Sequence, residues 1–256
     1  MYNNIRKNNG FTLMELVVVI IIMGILSLAG MKSISKSNEN AKYQTTLREM
    51  EALKVAVVGD ERLIQNGKRV SFGYIGDVGA MPPTLEDLVS NVAVLPNWGG
   101  PYMKQDFQDN PNDYLFDGWN SAYTYDGVTP AITSSGGGTP FAIYLVKTQA
   151  AADLLANEIT GLVYDREGNL PISADVANIH IVVTLGNGTV LPSVNPGTDG
   201  MYTVPNVPIG LQTVTATHDS VDSTFGQEVW IYNDVRVYPV DGGQRDVKFN
   251  QILPGW

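Results

Sequence analysis

The chain alternates between three kinds of hydrophobic pattern. From Phe11 to Met31 it reads FTLMELVVVIIIMGILSLAGM, an unbroken apolar run whose one charge is Glu15. At about 1.5 Å per residue this run spans roughly 31 Å as a helix, close to the hydrocarbon thickness of a bilayer. Val and Ile weaken an isolated helix in water, but in lipid only a helix satisfies its own backbone. Residues 32–46 are polar. Tyr43, Leu47, Met50, Leu53, Val57 and Ile64 then recur at helical spacing and form one apolar stripe, with Asn66-Gly67 as a stop. The pattern predicts one helix from about Thr12 to Gln65, its first half in membrane or filament core and its second half packed on a sheet; an anchor and a separate helix hinged in the polar stretch is the competing reading.

Beyond residue 67 the periods shorten. Thr84 with Asp87 three residues on reads as a short helix start. Ala122-Tyr123-Thr124-Tyr125 and Phe141–Val146 read as strands of a small antiparallel sheet laid on the helical stripe, with Trp98, Tyr102, Trp119 and Tyr123 in its core. Ser134–Gly138 reads as a hinge, and Gln149–Ala156 as a short helix or linker. After it come strand candidates at 159–164, 179–185, 201–204, 211–218, 228–232, 235–239 and 246–249. Turn sequences separate them: Arg166–Asn169, Gly186-Asn187-Gly188, Pro196–Gly200 and Asp241-Gly242-Gly243. Seven short strands in roughly 98 residues is the arithmetic of a β-sandwich.

Composition narrows the chemistry. With 256 residues, 44% of them hydrophobic, the chain is not wholly disordered. No Cys excludes disulfides, thiolate metal sites and a Cys nucleophile. The formal charge is −10, against a sequence-independent nucleic-acid binder. Its distribution is uneven: residues 1–66 carry eight basic and six acidic groups, so +2, while 67–158 and 159–256 each carry four basic and ten acidic groups, so −6. That is an anchor followed by a solvated acidic body.

Three fates compete for the apolar run. A cleaved secretory signal would use the small residues Ser27, Ala29 and Gly30. A plain anchor would avoid Glu15, since a carboxylate deep in lipid costs about 2.5–3.5 kcal/mol on insertion scales. The third uses Glu15. The string Lys7-Asn8-Asn9-Gly10-Phe11-Thr12-Leu13-Met14-Glu15 resembles the processing site of type IV prepilins and type II secretion pseudopilins. The resemblance implies cleavage between Gly10 and Phe11 by a prepilin peptidase on the cytoplasmic side, methylation of the new Phe11 amine, and retention of the run in the mature protein. Glu15, four residues on and on the same face, then meets the Phe11 amine of a neighbouring subunit and sets the register; a Glu15 that snorkels to the headgroups is the alternative. Arg6 and Lys7 precede the run and Lys32, Lys36 and Lys42 follow it, so the basic count does not set orientation; the cytoplasmic side of the leader comes from the resemblance. No Pro occurs before Pro82, where such pilins often have one near the end of the run; Gly24 and Gly30 are the weak points.

Two further resemblances lie downstream. Trp98-Gly99-Gly100-Pro101-Tyr102-Met103-Lys104 and Asp117-Gly118-Trp119-Asn120-Ser121-Ala122-Tyr123-Thr124-Tyr125 resemble the major pseudopilin of type II secretion, without its two further Pro and the Gly between Trp and Asn. Its calcium loop is not carried over, because only Asp126 offers a carboxylate there. Asp106, Asp109, Asn110, Asn112 and Asp113 form an oxygen-rich loop without EF-hand spacing and read as solvated. Gly200–Gly210 followed by Thr213–Ala216, with Ile159–Asp165 as opening strand, resembles a carboxypeptidase-regulatory-like domain, a non-catalytic transthyretin-like sandwich.

The expectations are therefore as follows. The fold is α+β: a long N-terminal helix on a small antiparallel sheet, as in pilins, followed by a transthyretin-like or Ig-like β-sandwich. Residues 1–10 are the leader, 11–66 the helix with 11–31 its transmembrane and filament-core part, 67–157 the pilin globular domain and 158–256 the sandwich. The chain is a filament subunit, of a surface pilus or a periplasmic secretion pseudopilus, made in the inner membrane. Its partners are other copies of itself, the prepilin peptidase, the membrane and the inner-membrane assembly machinery, with no nucleic acid. A monomeric, membrane-tethered binding protein or adhesin is the alternative from another class. No enzyme, cofactor or metal is expected: His180 and His218 read as surface residues, and the contiguous His218-Asp219-Ser220 is poor geometry for a triad.

Overall fold

The structure is a computed structural model that describes residues 12–92, 94–103, 112–219, 226–251 and 256, with Ala29 described by its backbone alone. It is α+β, a long N-terminal helix followed by several sheets, most of them antiparallel.

Helix α1 runs unbroken from Leu13 to Val58, 46 residues and about 69 Å. No hinge interrupts the polar stretch, so the continuous-helix reading holds. Its described side chains from Thr12 to Ala41 are all exposed, and burial begins at Lys42. Met50, Leu53 and Val57 are fully buried, as their spacing requires. The expected end at Gln65 is corrected: α1 stops at Val58, with Gly59 at φ 85° as its cap. A Cβ at Gly59 would lie 2.3 Å from the Ser71 carbonyl oxygen, so only glycine lets the chain turn there. Asn66-Gly67, expected to cap the helix, instead turns a hairpin between strands β1 (Ile64–Gln65) and β2 (Lys68–Arg69). Both turn residues take positive φ, as a two-residue hairpin needs. Ile64 accordingly leaves the stripe and is exposed.

Arg69 closes the end of α1. Its guanidinium donates to the carbonyls of Val58 and Gly59 and, from Nε at 2.7 Å, to that of Ser71. The Val58 and Gly59 carbonyls are orphan acceptors of a helix C-terminus, and a buried cation satisfies them while also tying in the Ser71 segment.

Helix α2 (Gly73–Val78) and a 3₁₀ turn at Leu85–Leu88 follow. Asp87 accepts from the Thr84 amide at 3.1 Å and hydroxyl at 2.9 Å, the expected capping arrangement. Strands β3 (Thr124–Asp126), β4 (Ala131–Ser134) and β5 (Phe141–Tyr144) form an antiparallel sheet that packs on α1. The expected hinge is displaced: Ser134 ends β4, the central strand, and only Ser135–Gly138 turns. A turn-rich composition hid a strand whose Ile132 is fully buried. Helix α3 (Ala152–Leu155) leads out of this region.

The C-terminal part holds two sheets. One orders β10-β9-β7, all antiparallel, from β7 (Ile179–Thr184), β9 (Gly210–His218) and β10 (Glu228–Val237). The other centres on β6 (Asn157–Tyr164), antiparallel to β8 (Met201–Val207) and parallel to β11 (Gly243–Gln244) and β12 (Val247–Lys248). Burial alternates along β6, β7 and β9, so Ile159, Val163, Ile181, Val214 and Phe249 share one apolar layer. Two expected strands, 228–232 and 235–239, are one: a bulge at Asn233-Asp234, with Asp234 at φ 59°, bends β10 without breaking it.

The buried apolar residues form two clusters. One gathers Met50, Leu53, Ile75, Leu88, Ile132 and Leu154 and includes Ile209 from the β8–β9 turn. The other lies between the C-terminal sheets. They meet closely: the Ile209 amide donates to the Leu154 carbonyl at 2.9 Å, Asn187 Nδ2 to Val78 O at 2.7 Å, and Arg236 Nε to Arg69 O at 3.0 Å. A Cβ at Gly186 would sit 2.7 Å from the Gly76 carbonyl, so the contact needs glycine there.

Candidate functional site: the helix and the loop that grips it

Three features of α1 bear on function: its first turn, its bare apolar length, and the place where the body takes hold. In the first turn the Thr12 hydroxyl oxygen accepts from the Glu15 amide at 3.3 Å. Glu15 Oε2 in return accepts from the Thr12 amide and hydroxyl, each at 2.9 Å. This is a capping box, and it holds the carboxylate over the helix N-terminus. The Thr-x-x-Glu spacing was its signal in the sequence, read there only for its relation to Phe11. Glu15 is exposed, and only Oε2 carries these bonds among the described residues. Gly10 and Phe11, the expected processing residues, lie outside the described residues.

From Leu13 to Met31 the helix is long and apolar enough to cross a membrane, and none of its described side chains is buried against the rest of the chain. Soluble monomers rarely present an apolar surface of this extent. Lipid or other protein must cover it.

The body grips α1 through positions 39, 42, 46 and 49, which share one helix face. Trp119 Nε1 donates to Glu39 Oε2 at 2.6 Å, and the Gly118 amide to Thr46 Oγ1 at 2.9 Å. Thr46, fully buried, donates on to the Lys42 carbonyl at 2.9 Å. Tyr123 donates to Glu49 Oε2 at 2.9 Å. A Cβ at Gly118 would lie 2.7 Å from the Lys42 carbonyl oxygen, so this turn lies directly on the helix backbone.

Asp117 builds the turn. Its Oδ1 accepts from the Trp119 and Ser121 amides, each at 2.9 Å. Its Oδ2 accepts from the Ser134 hydroxyl at 2.5 Å and the Gly136 amide at 3.0 Å. Burial alone would raise this carboxyl; the bonds from Ser134, Ser121, Trp119 and Gly136 outweigh it and hold the group below its ordinary range. Glu49 goes the other way. Half-burial raises it, only partly offset by the Tyr123 bond, and Asp113 and Asp117 add repulsion. Of the four aromatics expected in the core, Tyr123 is buried, while Trp98, Tyr102 and Trp119 are half-buried. Trp98 and Tyr102 meet edge to face at 5.7 Å, and the Tyr102 hydroxyl donates to Asp77 at 2.9 Å.

No three His, Asp or Glu side chains gather as a metal cage among the described residues. Asp106, Asp109 and Asn110 of the oxygen-rich loop lie outside them, as does Ser220; Asn112 and Asp113 are exposed. His180 is part-exposed, 3.7 Å from Asp219. His218, expected at the surface, is instead 3% exposed. It is the last residue of β9 on the inward-facing phase, packed on Phe249 and Trp256 at ring distances of 5.7 and 5.8 Å. Neither ring nitrogen has a partner among the described residues.

Comparison with known protein families decides how the N-terminal features are read. Residues 5–31 match the prokaryotic N-terminal methylation motif. The methylation motif thus covers Gly10, Phe11 and Glu15 together with the bare apolar helix. It supports a prepilin-type substrate of a type IV pilin-like or pseudopilin system, processed by a prepilin peptidase, and points to a structural subunit rather than an enzyme. A methylation-motif precursor with this helix is consistent with the inner membrane. No curated protein matches the chain.

Proposed function

We propose that this protein is the structural subunit of a type IV pilus-like filament, cleaved after Gly10, methylated on Phe11 and assembled out of the inner membrane through α1. The observation that carries the reading is the continuity of α1. One helix bears both the bare apolar run and the buried Met50–Val57 stripe, so in the uncut chain the run and the body move together. Some twenty apolar residues per subunit exchange lipid neighbours for those of other copies, and close side-chain packing rather than removal from water holds that contact. Glu15 fixes the register. Its Oε2 is engaged by Thr12, and Oε1 remains for the Phe11 amine of the next subunit.

In this reading 1–10 is the leader, 11–66 the helix and its hairpin start, 67–157 the pilin body and 158–256 a carboxypeptidase-regulatory-like sandwich carried outward. The pseudopilus of a type II secretion system is the second reading. It is favoured by the Asp117–Tyr125 segment, whose Trp119 and Tyr123 reach α1 as a built latch.

Glu15→Ala tests the assembly role. The reading expects normal removal of the leader and loss of filaments from sheared cell-surface material, viewed by electron microscopy. Filaments of normal length and yield from that variant would overturn it. Protein found only as monomers in membranes, with Glu15 intact, would favour a tethered binding protein.

A further inference from the structure

Between the β1–β2 hairpin and the C-terminal sheets lies a cleft of about 590 Å³ that the assembly role does not use. Lys68, Arg236 and Arg245 line it. This is unusual placement in a chain with 26 acidic and 16 basic residues. None of the three cations has a carboxylate within 4.0 Å among the described residues, although Asp234 and Asp241 line the same cleft. Three cations against the two aspartates leave the lining one net positive charge, in a chain whose formal charge is −10, so the cleft favours an anion more than the rest of the surface does.

Two of these cations are held in place. Arg236 donates from Nε to Arg69 O at 3.0 Å and from Nη1 to Asp234 O at 3.1 Å, which leaves Nη2 for a ligand. The Arg245 guanidinium sits over Tyr232, its central carbon 3.9 Å from the ring centre. The lip is shaped by left-handed backbone at Asp234, φ 59°, where β10 bulges, and at Gly242, φ 65°. Such geometry at a non-glycine residue costs energy and collects at ligand sites. Lys68 comes from the hairpin and the arginines from the C-terminal sheets, so the cleft sits at a junction, where ligand sites of this size are common.

We infer that this cleft binds an acidic saccharide, a short run of sugars bearing carboxylates or sulfates. The cations meet the acidic groups. Asn233, Gln244 and the two aspartates meet hydroxyls, and the half-buried ring of Tyr238 offers a face for a sugar ring. An acidic peptide fits less well: peptides add a strand or fill apolar pockets, and this lining is mainly amide, carboxylate and guanidinium.

The test uses the full chain in detergent micelles and calorimetric titration with trigalacturonate and a heparin-derived tetrasaccharide. Maltotriose serves as neutral control and triglutamate as acidic peptide control. At least one acidic saccharide binds with sub-millimolar Kd, weakening about tenfold as salt rises from about 0.05 to about 0.5 M. The double variant Lys68→Gln/Arg245→Gln changes two exposed side chains that make no side-chain hydrogen bond among the described residues. With an unchanged circular dichroism spectrum, it loses about tenfold or more in affinity. The inference is overturned if neither acidic saccharide binds, if maltotriose or triglutamate binds as well, or if the double variant binds as the parent does.

Discussion

The Trp119 indole donates to the Glu39 carboxylate at 2.6 Å, across 80 residues of chain and beyond the point where α1 becomes covered. Glu39 belongs to the exposed helix, so this bond ties the body to a turn outside its apolar core. Together with Gly118–Thr46 and Tyr123–Glu49 it fixes the body's rotation and height on the rod. In a helical polymer that register decides which surface each subunit turns outward.

Asp117 is the residue on which the latch depends. Asp117→Ala removes the buried acceptor of three amides and a hydroxyl, of which the Ser134 hydroxyl and Gly136 amide bonds are buried and the other two part-buried. Unsatisfied buried donors cost about 1–3 kcal/mol each where water cannot reach them. We expect a loss of about 3 kcal/mol in denaturant unfolding of the full chain, against less than about 1 kcal/mol for Trp119→Phe, whose bond to Glu39 is exposed. Equal small losses for both would contradict this ordering.

Arg69→Ala should be as damaging, by about 2–4 kcal/mol, because the carbonyls of Val58 and Gly59 at the end of α1, and that of Ser71 beside it, then lose the guanidinium donor. Arg69→Lys should recover only part of the loss. A single ammonium cannot fork to three carbonyls as a guanidinium does. Full recovery in thermal unfolding would show that charge alone, not shape, closes the helix.

Glu49 predicts a pH effect of unusual sign. Burial raises its folded-state pKa above the ordinary 4.5, so the folded chain holds the proton more tightly than the unfolded one. The cost of ionising it is absent below pH 4.5 and grows as pH rises through the folded value. Glu49→Gln keeps an acceptor for Tyr123 and removes that cost. Its melting temperature should exceed the parent's at pH 7 and converge with it near pH 4. A variant less stable than the parent at pH 7 would count against this account.

His218 acts in the opposite direction. Burial lowers its folded-state pKa below the ordinary 6.5, against the pull of Asp175, Glu228 and Asp219. The unfolded chain therefore takes up the proton first, and stability falls as pH drops below 6.5. Melting between pH 7.5 and 5.5 should show that slope in the parent and a shallower one in His218→Phe. Identical slopes would place the acid sensitivity elsewhere.

The two long-range regularities of this molecule were legible in the sequence. A period of 3.6 marked Met50, Leu53 and Val57, and a period of 2 marked Ile179, Ile181 and Val183; all six are buried. Local stops were less legible. Gly59 and Asn66-Gly67 are both credible helix ends, and the choice was made by Arg69, which reaches back across ten residues to close the helix at Val58. β4 was hidden because its neighbours Ser135–Gly138 read as a hinge, while Ile132 is buried in the cluster that includes Met50 and Leu53 of α1, which are distant in sequence. His218 was misread for a related reason. Its phase on β9 was inward, but what covers it, Phe249 and Trp256, lies far along the chain. The latch partners at Glu39, Thr46 and Glu49 carried no signal of their own, since polar residues on an exposed stretch look alike until a loop docks on them.

The most direct test of the central claim is the N-terminus of the mature protein, read by mass spectrometry of sheared surface filaments. The account predicts a polymer whose subunits begin at Phe11 with one added methyl group on the amine. Subunits that begin near Ala29, or a soluble product lacking the apolar run, would contradict it.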